Sequence, residues 1–169
     1  MPSELEIIEA DLDGELATSL LGRYYAELAA RFPDGFDLER TVAAHAADLR
    51  PPSGCFLVVR LQGLAVGCGG VRKLDGTTGE IKRMWVDPAV RGRGIGRDLL
   101  AALEAAAARL GCARVRLDSC RHLPEAVRLY RSAGYRDVIA YNDNPYADLW
   151  LEKLLIEASS GGDNAQTGQ

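Results

Sequence analysis

One stretch near the middle of the chain constrains the fold more than any other. Glu80 to Val86 reads as a strand, Asp87-Pro88 closes it, and Arg91-Gly92-Arg93-Gly94-Ile95-Gly96-Arg97 leads into a strongly periodic helix. In that helix Ile95, Leu99, Leu103, Ala106 and Leu110 share a stripe, and Gly111 stands where a C-terminal cap belongs. Glycines at alternate positions let the loop backbone approach a ligand with no Cβ in the way. The first helical turn leaves N–H groups without intrahelical partners, and the macrodipole adds positive charge there, so the loop suits a phosphate. Arg91, Arg93 and Arg97 add forked, permanently charged donors. The plainer reading is a tight strand-to-helix turn with solvated arginines. Two better-known phosphate loops do not fit. A P-loop ends in Gly-Lys-Ser/Thr, where Gly96-Arg97-Asp98 stands here. The dinucleotide fingerprint needs a glycine at the position of Arg97, and its strand belongs to a parallel unit rather than a meander.

The flanking sequence sets the rest of the order. Leu5 to Ile8 alternates as a strand, and Leu16, Leu20, Tyr24 and Leu28 recur on one helical face until Pro33 and Gly35 break it. Leu38 to Leu49 reads as a second amphipathic helix ended by Pro51-Pro52-Ser53-Gly54. Cys55 to Leu61, Ala65 to Leu74 and Glu80 to Val86 form a three-strand antiparallel meander, turned at Gln62-Gly63 and Asp75-Gly76. After the central helix come a strand (Ala113 to Leu117), a helix (Pro124 to Ala133, ended by Gly134) and a strand from about Leu149 to Leu154. The expectation is one α/β domain over residues 1–157, a mixed central sheet with helices on both faces, followed by a disordered tail over 158–169.

Composition narrows the function class. At 169 residues with a net charge of −4, the chain has no dominant basic face with which to collect nucleic-acid phosphates. It has no apolar run long enough to span a membrane and no signal-peptide pattern at its start. Cys55, Cys68, Cys112 and Cys120 lack the CxxC spacing of zinc or redox sites, so free thiols in a reducing cytoplasm, and no metal, are expected.

The run from Glu80 to Gly96 resembles the acetyl-coenzyme A motif of the GNAT superfamily, whose Q/R-x-x-G-x-G/A signature is matched by Arg91, Gly94 and Gly96. Leu129-Tyr130-Arg131-Ser132-Ala133-Gly134-Tyr135 resembles the family's later LY-x-x-x-GF/Y segment, in the expected order. The resemblance covers roughly residues 4 to 155. It implies the GNAT-type acyl-CoA N-acyltransferase fold, with acetyl-CoA as cosubstrate. It also implies that backbone N–H groups from Gly92 through Arg93, Gly94, Ile95 and Gly96 to Arg97 hold the pyrophosphate. Met84 and Val86 would pair with the pantetheine arm, in a slot opened where their strand splays from its neighbour. Tyr130 would serve as general acid and Glu80 as general base. Leu123 departs from the pattern: many relatives carry Asn or Gln there, and Ser119 or His122 could compensate.

The chemistry asks for such groups. An alkylamine of pKa about 10.4 is mostly protonated at pH 7, and freeing it costs about 4.6 kcal/mol. A carboxylate relay can take that proton, and an unbulged strand would put Glu80, Lys82 and Met84 on one face. Coenzyme A leaves as a thiolate, and a phenol can return a proton to it. Plainer readings are a solvent-facing strand residue for Glu80 and a core aromatic for Tyr130. His45 and His122 form no ligand pair, Cys120 is incidental, and the Tyr141–Tyr146 stretch is either acceptor-pocket wall or plain loop. The expected activity is acetyl transfer from acetyl-CoA to a primary amine, on a small molecule or a protein, by direct attack in a ternary complex. The rival is a non-catalytic acyl-CoA-binding regulatory module. No nucleic-acid or membrane partner is expected, and a homodimer is compatible with the resemblance.

Overall fold

The computed structural model describes residues 4–37, 40 and 46–155. Its strands are β1 (Leu5–Glu9), β2 (Gly54–Leu61), β3 (Leu64–Lys73), β4 (Thr78–Val86), β5 (Arg114–Ser119), β6 (Arg136–Asp137) and β7 (Leu149–Leu154). They form one sheet in the order β1-β2-β3-β4-β5-β7-β6. Pairing is antiparallel from β1 through β4, parallel between β4 and β5, and antiparallel again through β5, β7 and β6. The expected meander and mixed sheet are present. The two-residue β6 had no alternating pattern to announce it.

Helices α1 (Glu15–Arg31), α2 (Ile95–Arg109) and α3 (Pro124–Ser132) cover both faces. Strand alternation explains the two cores. Cys55, Leu57 and Val59 of β2 point to the face under α2 and α3, with Leu99, Leu103, Val115, Leu117 and Tyr130. Phe56 and Val58 point to the opposite face, with Leu20, Leu21, Tyr25 and Leu28 of α1 and Trp85 of β4. The buried stripe of α1 runs through Ala17 and Leu21 rather than Leu16, which is 38% exposed. Small Ala17 lets the helix close on the sheet where the bulkier leucine would not fit.

Part of the segment from Leu38 to Leu49 forms a 3-10 turn, Ala46–Leu49; residues 38, 39 and 41–45, including His45, lie outside the described residues, as does the proposed tail over 158–169. Among the described residues no helix is long and apolar enough to cross a membrane.

Candidate functional site

Strands β4 and β5 pair only through Thr78, Gly79 and Glu80 with Arg114, Val115 and Arg116. Beyond Glu80 each strand continues without the other, and a cavity of about 370 Å³ opens between them. Ile81, Lys82, Arg83 and Met84 line one side and Leu117, Asp118, Ser119 and Cys120 the other. Tyr130 of α3, Tyr24 of α1 and the turn from Asn142 to Ala147 close it.

A β-bulge distorts β4 where it borders the cavity. Register passes from Gly70–Lys82 to Cys68–Trp85, so Gly69 alone faces Arg83 and Met84 together, and Arg83 takes φ 57. The extra residue reverses the alternation. Met84 packs toward the α2 face with Ile81 and Val86, while Trp85 joins the α1 face. The expected shared face of Glu80, Lys82 and Met84 is therefore not found. Glu80 is 0% exposed and does not line the cavity. Its carboxylate accepts Arg72 Nε at 2.9 Å and the Tyr141 hydroxyl at 2.7 Å, with Lys82 Nζ at 3.5 Å.

The carboxylate that does reach the cavity is Asp118, whose side chain is 11% exposed. It accepts the amides of Asn142 at 2.7 Å and Asn144 at 3.1 Å, and Lys82 Nζ at 3.4 Å. Lys82 thus stands between two carboxylates, one inside the cavity wall and one behind it. Tyr130 is 7% exposed, and burial, followed by the field of Asp118, pushes its phenol above the ordinary range. Tyr24 is shifted the same way by burial and then by Tyr130. Sequence reading missed Asp118 and Tyr24. The alternation Arg114, Arg116, Asp118 down one face of β5 is the signal that could have found the first.

Beside the cavity, β4 ends in the glycine loop. Gly92 and Gly94 both adopt φ 83, a conformation other residues rarely take, and a Cβ on either would stand in open space. Gly94 is the N-cap of α2, so the unpartnered N–H groups of the first turn face an unobstructed surface. Gly96 serves packing instead: a Cβ there would come within 3.1 Å of Leu129 on α3. Ile95 and Val86 are buried in the core and can offer a ligand only their backbone. Arg93 is exposed, and Arg97 lies 3.4 Å from Ser132 Oγ. Arg91 departs from the expectation of a phosphate-facing side chain. Its guanidinium donates to Val86 O at 2.9 Å and to both oxygens of Glu27 at 2.8 and 2.9 Å, with Glu125 at 3.4 Å. Two carboxylates within reach outcompete solvent for it. Arg31 also pairs with Glu27 and Glu125, holding the Glu125 carboxyl below its usual range.

A splayed parallel pair, a bulge at its mouth and an anion-ready helix N-terminus occur together in the fold to which this chain matches. The family model described as acetyltransferase (GNAT) family matches residues 21–135, more than half of the chain. The chain belongs to the GNAT acetyltransferase family. By family it is an acetyl-CoA-dependent acyltransferase. An IAA acetyltransferase of Azospirillum brasilense is 37% identical over 126 residues, 70% of this chain and 82% of that one. A GNAT-family acetyltransferase of Staphylococcus aureus superposes with a TM-score of 0.75 at 17% identity, covering 90% of this chain and 99% of that one. A GNAT-family acetyltransferase of Elizabethkingia anophelis, solved with acetyl-CoA bound, gives 0.62 at 17%, covering 89% and 97%. At such identities the structural likeness shows the fold.

Within this GNAT domain Leu123 turns toward the α1-side core and has no capping hydrogen bond. Ser119 lines the cavity, while His122 packs its ring on Phe32 at 5.4 Å. All four cysteines are buried and free, and burial raises every thiol, Cys68 to about 12. Cys120 therefore presents a protonated thiol to the cavity rather than a nucleophile. Among the described residues no His, Cys, Asp and Glu side chains gather as a metal site.

Five of the six tyrosines, Tyr24, Tyr25, Tyr130, Tyr135 and Tyr141, have phenols raised first of all by burial. A raised folded value means the fold holds these protons more tightly than the unfolded chain does. That contribution is complete below the unfolded value of about 10 and is lost as the pH climbs beyond it. Alkaline titration should give tyrosinate absorbance that rises in one cooperative step with the loss of circular dichroism. Gradual ionisation of most phenols in a still-folded protein is the result that would contradict this burial.

Proposed function

We propose that the enzyme transfers an acetyl group from acetyl-CoA to a primary amine by direct attack, with the amine placed in the cavity between β4 and β5. The observation that carries this reading is the coincidence of that cavity with the open, glycine-lined N-terminus of α2. The loop fits a pyrophosphate: the backbone from Gly92 to Arg97 would hold it, flanked by Arg93 and Arg97, with Arg91 fixing the loop's root from behind. The backbone of Met84 and Val86 would hold the pantetheine arm. Acetyl-CoA, when bound, supplies the activated thioester.

The chain's own residues divide the remaining work. Asp118 takes the place first expected for Glu80, since it lines the cavity and Glu80 does not. It receives the ammonium and accepts its proton as the amine attacks. Glu80 acts through others, setting Lys82 and Tyr141. The N–H of the bulged Met84 is offered to the developing oxyanion, and the protonated Tyr130 donates to the departing sulfur. In so dry a place the thiolate is destabilised along with the phenolate, so the raised phenol does not rule the transfer out.

Acetyl-CoA should raise the melting temperature, by about 2.7 kcal/mol of added stability at a hundred times its Kd. Thiol release should then depend on an added primary amine. Gly94→Val should weaken acetyl-CoA binding about 100-fold, through strain at φ 83 and loss of one or two charge-assisted contacts. Binding without amine-dependent thiol release would favour the regulatory module. Unaltered binding in Gly94→Val would reduce the loop to a turn.

A further inference from the structure

Two loops far apart in sequence meet ring to ring at one end of the cavity. Phe32 and Phe36, just past α1, lie 5.6 Å apart and nearly parallel at 16°. Tyr146 stands edge-on to Phe32 at 5.2 Å and tilted against Phe36 at 4.8 Å. All three rings line the same cavity as Asp118, and each is only half-buried. Such apolar surface, rimmed by polar groups, marks a place where something binds.

The turn from Asn142 to Tyr146 joins this aromatic end to the carboxylate. Asn142 and Asn144 donate to Asp118, and the Tyr146 backbone N–H donates to Asn144 Oδ1 at 3.0 Å. The Tyr146 hydroxyl in turn accepts the backbone N–H of Asp37 at 2.6 Å, tying the turn to the loop that carries Phe36. One short, cross-braced segment therefore sets the separation between an anionic anchor and an aromatic wall.

We infer that the acceptor is a small primary amine bearing an aromatic group, its amine at Asp118 and its ring against Phe32, Phe36 and Tyr146. This rests on the acetyl-transfer reading of the same cavity and goes further by naming the substrate class. A cation with a flat apolar body meets opposite charge at one end and π-faces at the other. A volume of about 370 Å³, bridged by the Asp37–Tyr146 hydrogen bond, is of small-molecule size. A polyamine would set further cations against the rings without covering them, and a lysine on a protein surface would leave them in water.

The test compares kcat/KM for phenylethylamine, n-butylamine, spermidine and a lysine-containing peptide at saturating acetyl-CoA. Phenylethylamine should exceed n-butylamine at least about 10-fold, with spermidine and the peptide below both. Phe36→Leu and Tyr146→Leu should each collapse that ratio, mainly through the KM of the aromatic amine. The acetyl-CoA Kd and melting temperature check that each variant is folded. A wild-type ratio near one, or preference for spermidine or the peptide, overturns the aromatic assignment while acetyl transfer stands. A preference that survives both folded variants also overturns it, because the rings would then not be its source. Should neither variant fold, the wild-type panel still decides. No turnover of any amine, with acetyl-CoA binding intact, overturns this inference and the proposed function together.

Discussion

Tyr130→Phe should lower kcat about 10- to 1,000-fold while moving the acetyl-CoA Kd by no more than a few-fold. The ring is held by packing, 5.9 Å from the ring of Tyr135 and within the α2-side core, and phenylalanine keeps all of that. What it removes is a hydroxyl beside the cavity, and a positioned acid is typically worth about 10²–10⁴. The lower expected figure allows for partial replacement by water or by Tyr24, whose phenol lies in the field of Tyr130. Single-turnover kinetics should show the loss in the chemical step. An unchanged single-turnover rate removes the phenol from the mechanism.

Asp118→Asn should lower kcat/KM for the amine about 100-fold or more near pH 7, and the deficit should shrink as the pH approaches the amine's own pKa of about 10. The shape of the side chain is preserved, so Asn142 and Asn144 keep a partner, while the charge opposing Lys82 is lost. Glu80→Gln makes the informative comparison. Its carboxylate pairs with Arg72 in the wall behind the cavity, and breaking a buried pair on one side costs about 3–5 kcal/mol. Glu80→Gln should therefore appear chiefly as a lower melting temperature, with a smaller loss of activity per folded molecule. A steep pH-dependent loss in Glu80→Gln together with near-normal Asp118→Asn would restore Glu80 as the base. A pH-independent loss in Asp118→Asn would make that residue an amine-binding group alone.

The fold was legible because its signals are local. Period-2 runs gave β2, β3 and β4, the Ile95–Leu103 stripe gave α2, and Gln62-Gly63 marked a hairpin. The site was legible only where geometry follows from residue type, as in the glycine loop. The bulge was not, because an arginine at φ 57 carries no compositional mark. Nor were the partners of Glu80: Tyr141 lies 61 residues away, and no spacing rule connects the two. Arg91 misled because a guanidinium in a glycine loop reads as a phosphate ligand, whereas Glu27, 64 residues earlier, holds it. Tyr24 was read as part of a core stripe. The true stripe is centred about one position later, and that rotation of α1 turns Tyr24 toward the cavity.

The clasp of Arg91 by Glu27, Glu125 and the carbonyl of Val86 bears on the thermodynamics of loading the enzyme. Ordering a loop on binding normally appears as an unfavourable entropy, and here the root of the phosphate loop is already tied to α1, β4 and α3. Calorimetry of acetyl-CoA binding should accordingly show a small conformational-entropy loss. Cutting the tie with Glu27→Gln should weaken binding mainly through the entropic part, although Glu27 touches no ligand. The loop's readiness would then be a property of the helix across the sheet, inherited by the cofactor site at a distance.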